Sequence, residues 1–310
     1  MRVVQWALAS ATTLCVTACA TAQEEGYPEV LAQNYAVFSE SICPAPDGNT
    51  PFPPLASVAD GPSIPPVQVF DNLYFVGNLV DSAWALTTSD GIILFDAMFA
   101  YEVEPNVVEG LKALGLDPAD IKDVVVAHGH ADHFGGAAFL QEAYGAKVAL
   151  SETDWAIVEA TEPSEQAAIP TRDIVLHDGD TLTLGEATVR FVETPGHTPG
   201  TISSIFTVYD HGEAHTAALW GGTAMNFLDA DGIRTHMASA ERFSAIDPAI
   251  DVVLSNHQYA DGLLVKVPAL EARRPGAPHP FVVGHDGFQD WMEITQTCGE
   301  AWLAQRQAER

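Results

Sequence analysis

Basic residues are scarce. Thirteen Lys and Arg stand against 42 Asp and Glu in 310 residues, a formal charge of −29. Such a chain repels phosphate backbones and cannot gain affinity by releasing their counterions, so a nucleic-acid partner is excluded. Cysteine is sparse as well, with four in all. With 47% hydrophobic residues the chain can bury a core without depending on disulfides. That composition also excludes disorder, collagen and coiled coil. Past the first residues no apolar run approaches the ~20 needed to span a bilayer, so the body reads as soluble. What the chain does have is histidine, eleven of them.

The N-terminus reads as an export signal over residues 1–22. Met1-Arg2 is a short charged start, Val3 to Val16 is apolar, and Ala20-Thr21-Ala22 offers a cleavage site. Val16-Thr17-Ala18-Cys19 overlaps it and resembles a lipobox, in which Cys19 carries lipid. The two readings put the protein in the periplasm or, as a lipoprotein, on the outer membrane. Membrane association is expected only if Cys19 is lipidated. With Cys15 and Cys19 in this region, Cys43 and Cys298 remain. In an oxidising compartment they either pair, tying the N-terminal extension to the last helix, or stay as buried thiols.

Residues 23–66 read as an extension, broken by Pro44, Pro46, Pro51, Pro53, Pro54, Pro62, Pro65 and Pro66 around a short helix near Glu29 to Ser39. From Val67 the texture changes, and residues 67–310 read as one domain. Val67 to Val76 and Ala83 to Phe95 suggest a meander, Val103 to Leu114 a helix, and Val124 to Ala127 a buried strand. A helix at Phe134 to Tyr144, a strand at Lys147 to Leu150 and a helix at Thr153 to Ala160 follow. A second strand series runs from Ile174 to Trp220. Helices near Ser239 to Ile246 and from about Gln289 flank the strand Val252 to Leu254. Two strand series with helices outside predict a four-layer α/β sandwich.

The chemistry sits where the strand Val124 to Ala127 ends. His128-Gly129-His130-Ala131-Asp132-His133 packs three imidazoles and a carboxylate into six residues. Gly129 and Ala131 add no bulk between them. Imidazole and carboxylate without thiolate favour zinc over iron or manganese. The four groups cannot all point at one ion, so two metal sites are the economical reading. His197, in the rigid loop Thr194-Pro195-Gly196-His197-Thr198-Pro199-Gly200, and His257, just past the strand Val252 to Leu254, lie at further strand ends. Such ends are where an open α/β architecture gathers its functional groups. His177, His211, His215, His236, His279 and His285 fall in turn-like or polar contexts and are expected at the surface.

These residues resemble the metallo-β-lactamase superfamily over roughly Val67 to His257, and the fold expected from the resemblance is its αβ/βα sandwich. The resemblance implies one zinc on His128, His130 and His197 and a second on Asp132, His133 and His257. Family hydrolases of thioesters, lactones or phosphodiesters usually carry a bridging Asp where this chain reads Gly221-Gly222-Thr223. Subclass B3 metallo-β-lactamases lack that bridge, and the chain is most similar to them.

The resemblance therefore implies an exported, two-zinc hydrolase of small molecules that activates water and opens β-lactam rings. The alternative is hydrolysis of a lactone, ester or other amide on the same site. Asp132 is expected both to ligate and to orient the attacking water. Thr223 and Tyr259 are candidate contacts to water or substrate. Glu152 to Arg172, with Trp155, reads either as a lid or, preferably, as a plain surface helix and loop. Phe70, Tyr74 and Trp84 read as core aromatics.

Overall fold

A computed structural model describes Ser39, residues 42–44, 64–247 and 249–308. The signal segment with Cys19, and the helix expected near Glu29 to Ser39 apart from Ser39 itself, lie outside the described residues.

Among the described residues twelve strands form two sheets. The first holds, in spatial and chain order, β1 (Val67–Phe70), β2 (Leu73–Phe75), β3 (Trp84–Thr88), β4 (Gly91–Phe95), β5 (Ile121–Val125), β6 (Lys147–Ser151) and β7 (Ile174–Leu176). Its first four strands meander antiparallel, whereas β4 through β7 run parallel. The parallel strands need crossovers. These contain α1 (Glu109–Ala113) after a π-helical turn, α2 (Ala131–Phe134) with α3 (Ala137–Tyr144), and α4 (Glu152–Ala160). The second sheet has the order β12-β11-β10-β9-β8, with β8 (Thr181–Leu184), β9 (Ala187–Glu193), β10 (Ile202–Asp210), β11 (Glu213–Trp220) and β12 (Ile250–Ser255). Here α5 (Ala230–Ser244) is the crossover into the parallel β11/β12 pair.

Three cores separate four layers, because alternate residues of one strand face opposite sides. In β4, Ile93 and Phe95 point into the core between the sheets, while Ile92 and Leu94 point at Leu111, Leu140 and Trp155 beneath the first helical layer. In β11, Ala217 and Leu219 face the central core, while Ala218 and Trp220 face Ile233, Phe243 and Trp302. The sandwich expected from the sequence is the one observed. α8 (Gly284–Ala308) closes the outer face of the second sheet. Cys298 on it is disulfide-bonded to Cys43, so the paired alternative is the one observed.

Several boundaries differ from the sequence reading. The helix expected at Phe134 to Tyr144 is two helices split at Gly135-Gly136, where the chain passes so close to its neighbours that a Cβ on Gly136 would meet the Ala97 carbonyl at 2.3 Å. The helix expected near Ser239 begins at Ala230, because the Asp229 carboxylate accepts from the amides of Asp231 and Gly232 and so caps it there. Between β12 and α8 the chain adds α6 (Gln258–Asp261) and α7 (Leu263–Glu271), which the sequence reading left without structure. Phe70 and Trp84 are core residues, and Tyr74 is half-buried against the outer core. The segment Glu152 to Arg172 is a surface helix and loop, held by Arg172 paired with Glu152 and Glu159 and anchored by buried Trp155.

His236 and His279 correct the expectation of surface histidines, since both are buried. His236 follows Ile233 and precedes Ala240 and Phe243 on the inward stripe of α5, and its Nε2 donates to the Gly222 carbonyl at 2.8 Å. His279 stacks on Phe70 with ring centres 4.2 Å apart and donates to the Val69 carbonyl. His215 and His285 are half-buried, while His177 and His211 are exposed.

Candidate metal centre

The same edge of the two sheets gathers the strand ends. β5 runs into His128, the β9–β10 loop carries His197, and β12 runs into His257. Three nitrogens converge first. His128 Nε2 lies 3.1 Å and His197 Nε2 3.2 Å from His130 Nδ1. A tetrahedral ion with metal–nitrogen bonds of ~2.0–2.1 Å spaces its ligand nitrogens by about 3.3 Å, so this triad fits one. The tautomers are fixed from behind. His128 Nδ1 donates to the Gly221 carbonyl at 2.7 Å and His197 Nδ1 to the Ala224 carbonyl at 2.8 Å, which turns each remaining lone pair inward. Burial and the neighbouring imidazoles hold His128 and His197 well below the usual histidine range, so both stay neutral and able to ligate.

Asp132 is the hub of the second group. Its Oδ2 lies 3.4 Å from His133 Nε2 and 3.9 Å from His257 Nε2. The rings of those two histidines are centred 5.0 Å apart. Burial alone would raise the Asp132 carboxyl, but the His133 imidazole overrides it and holds it well below the carboxylate range. His133 in turn is raised, because Asp132 and Asp96 outweigh its burial. Its Nε2 is buried without a hydrogen-bond partner. A buried nitrogen without a hydrogen-bond partner beside a carboxylate is a donor pair that fits a metal ion.

Two flanking carboxylates escaped the sequence reading. Asp96, just past β4, holds His133 Nδ1 at 2.8 Å with one oxygen and accepts from the Ala127 amide at 2.7 Å with the other. It does so from a left-handed backbone, φ 61°. A charged residue ending a buried strand paired in parallel with β5 was the available signal. Asp154, at the start of α4, accepts from the amides of Gly129 and Gly200 and from the Thr198 hydroxyl. It thereby clamps the His128 loop to the His197 loop. Its carboxyl is raised by burial.

The remaining expected residues take different places. The Thr223 hydroxyl pairs with Ser255 Oγ at 2.9 Å, joining the ends of β11 and β12. Tyr259 lies parallel to His257, ring centres 5.0 Å apart, and burial together with the charge of Asp132 keeps its hydroxyl protonated. Phe227, 54% exposed, stands over the first triad with its ring 5.0 Å from His197. It forms an apolar wall that the sequence reading did not single out.

Residues 76–208 match the family described as the Metallo-beta-lactamase superfamily. Over that stretch the chain is recognised as metallo-beta-lactamase superfamily. It is similar to a solved subclass B3 metallo-beta-lactamase, BJP-1 of Bradyrhizobium japonicum, at 26% identity and TM-score 0.68, over 79% of this chain and 96% of that one. A mutant of the Cronobacter sakazakii metallo-beta-lactamase aligns at 26% identity and TM-score 0.69, over 80% of this chain and all of that one. Among curated proteins it is 31% identical to the hydroxyacylglutathione hydrolase of Acidiphilium cryptum over 141 residues, 44% of this chain and 50% of that one. The matched stretch thus spans a half or less of the first curated relatives.

Proposed function

We propose that the protein is an exported hydrolase that holds two zinc ions and opens β-lactam rings. The donor set supports zinc: imidazoles and carboxylates with, among the described residues, no free thiolate beside them, two orphaned buried polar atoms, Asp81 Oδ1 and His133 Nε2, and a triad spaced for a tetrahedral ion. His128, His130 and His197 hold the first ion, and Asp132, His133 and His257 the second. When bound, zinc lowers the pKa of water and polarises a carbonyl.

The chain's own groups do the rest. The Asp132 carboxylate, kept ionised, accepts a hydrogen bond from the attacking water and orients it. The Tyr259 hydroxyl, kept protonated, is a donor beside His257. Phe227 covers the open side and offers an apolar wall to the substrate's side chain.

The observation that carries the β-lactam reading is Gly222. It has no carboxylate, and the space beside it is closed. A Cβ there would lie 2.5 Å from His197 Cβ. Export is supported by the apolar N-terminus and by the Cys43–Cys298 disulfide, which persists in oxidising compartments. Among the described residues no helix is long and apolar enough to cross a membrane.

Hydrolysis of an ester, lactone or other amide is the second reading, and the likeness to the hydroxyacylglutathione hydrolases extends it to thioesters. One experiment separates the two. The zinc-loaded protein is expected to turn over a chromogenic cephalosporin and to stop when EDTA is added. Silence on the cephalosporin together with turnover of a thioester or lactone selects the second reading.

A further inference from the structure

Asp81 precedes β3, and the antiparallel register of β3 on β4, Trp84 opposite Phe95, carries it to the edge where Asp96 and the histidines gather. The turn that presents it is tightly tied. The Asn78 side chain accepts from the amides of Val80 and Asp81, and the Asn78 amide donates to the Asp81 carbonyl. Asp81 also forms an isolated antiparallel bridge with His257. Its side chain is thus delivered by backbone bonds and not by a mobile loop.

At 2% exposure the carboxylate is almost fully buried, and its Oδ1 has no hydrogen-bond partner. His257 Nδ1 lies 3.2 Å from it and 3.1 Å from the Val80 carbonyl, so one ring nitrogen faces both oxygens. One ligand atom each from Asp81, Asp132 and His257 lie within 4.8 Å of one another. Glu102 adds to the crowding. One of its oxygens is also buried without a hydrogen-bond partner. Two carboxylates brought this close beside His257 are stabilised by a cation held between them.

We propose that Asp81 is a ligand of the second metal ion, supplying from the β2–β3 turn the carboxylate that Gly222 cannot carry. The two positions approach from different elements, Asp81 beside His257 and Gly222 against His197. The second ion therefore gains a carboxylate of its own and not one shared with the first. The proposal rests on the two-ion reading of the site.

Metal titration of the wild-type protein and of Asp81→Asn, with zinc and with cobalt(II), tests it. Wild type is expected to bind two ions. Asp81→Asn is expected to keep the first ion at the parental affinity and to lose affinity for the second by more than roughly 100-fold. That exceeds the roughly 10–100-fold cost of removing a residue that only orients a ligand. The visible absorption of the second cobalt should change with its coordination number. A variant that binds the second ion within tenfold of the parent, with an unaltered cobalt spectrum, overturns the proposal. A wild type that binds a single ion overturns the two-ion reading instead. Should Asp81→Asn not fold, the crystal structure of the zinc-loaded wild type decides: an Asp81 oxygen within ~2.2 Å of the second zinc supports ligation, and one beyond 3 Å removes it.

Discussion

Gly222 abuts His197 so closely that a Cβ added to it would sit 2.5 Å from His197 Cβ and 2.9 Å from its Cγ. The glycine is therefore part of how the first triad is held, and not merely a missing carboxylate. Behind it, His236 pins the Gly222 carbonyl, so the turn cannot retreat to make room. Gly222→Asp is expected to displace His197 instead of bridging two ions. Overpacking of this kind costs about 1–3 kcal/mol, and the affinity for the first ion should fall by at least roughly tenfold. Zinc titration and a denaturant melt measure both. A variant with tighter metal binding and unchanged stability would show that the turn can open.

Asp132 is placed to act on the reaction as well as on the metal. Its carboxylate meets both His133 and His257. Under saturating zinc, Asp132→Ala is expected to lower kcat by roughly 10²–10⁴ while KM moves little. Equal kinetics for variant and parent would remove it from the mechanism.

Asp96 works through His133. It fixes the tautomer by taking the Nδ1 hydrogen, and its second oxygen ties that contact to the Ala127 amide just before His128. Asn tolerates the left-handed backbone found here, so Asp96→Asn removes the charge with little strain. The second ion should bind roughly 10–100-fold more weakly while the first, which Asp96 does not touch, is unchanged. Equal weakening of both ions would mean that the variant disturbs the whole edge.

The contrast between His128 and these aspartates shows what a sequence exposes. Three histidines and a carboxylate within six residues are a local signal, and a buried strand in front of them says which edge they occupy. Asp96 and Asp81 are single acidic residues in ordinary surroundings. Their chemistry arises only when β4 pairs with β5 and β3 with β4, a relation that no short window contains. His236 is an intermediate case, because its spacing from Ile233, Ala240 and Phe243 already marked the buried stripe of α5. The four layers were legible because strands and helices alternate in chain order. The α6–α7 insert was not, because α7 is apolar without a clear stripe and carries Pro268 inside it.

Burial of histidine sets the acid limit of the fold. His236 and His279 are each held down to about 4, foremost by burial, against an ordinary value of 6.5. In the unfolded chain both take up a proton below 6.5, whereas in the native state they remain neutral. Protons then favour the unfolded state, so the stability owed to these groups is complete above pH 6.5 and shrinks as pH falls toward 4. At pH 5 each contributes a loss of about 2 kcal/mol, 1.5 units at 1.36 kcal/mol per unit. The denaturant midpoint of the zinc-free protein is expected to drop between pH 7 and pH 5. His279 is the cleaner probe, since it lies away from the metal edge, stacked on Phe70. His279→Gln should be less stable than the parent at pH 7, where the stacking is lost, yet should lose about 2 kcal/mol less on acidification. Parallel stability curves for parent and variant would show that His279 protonates freely in the folded protein and that its burial does not govern the acid response.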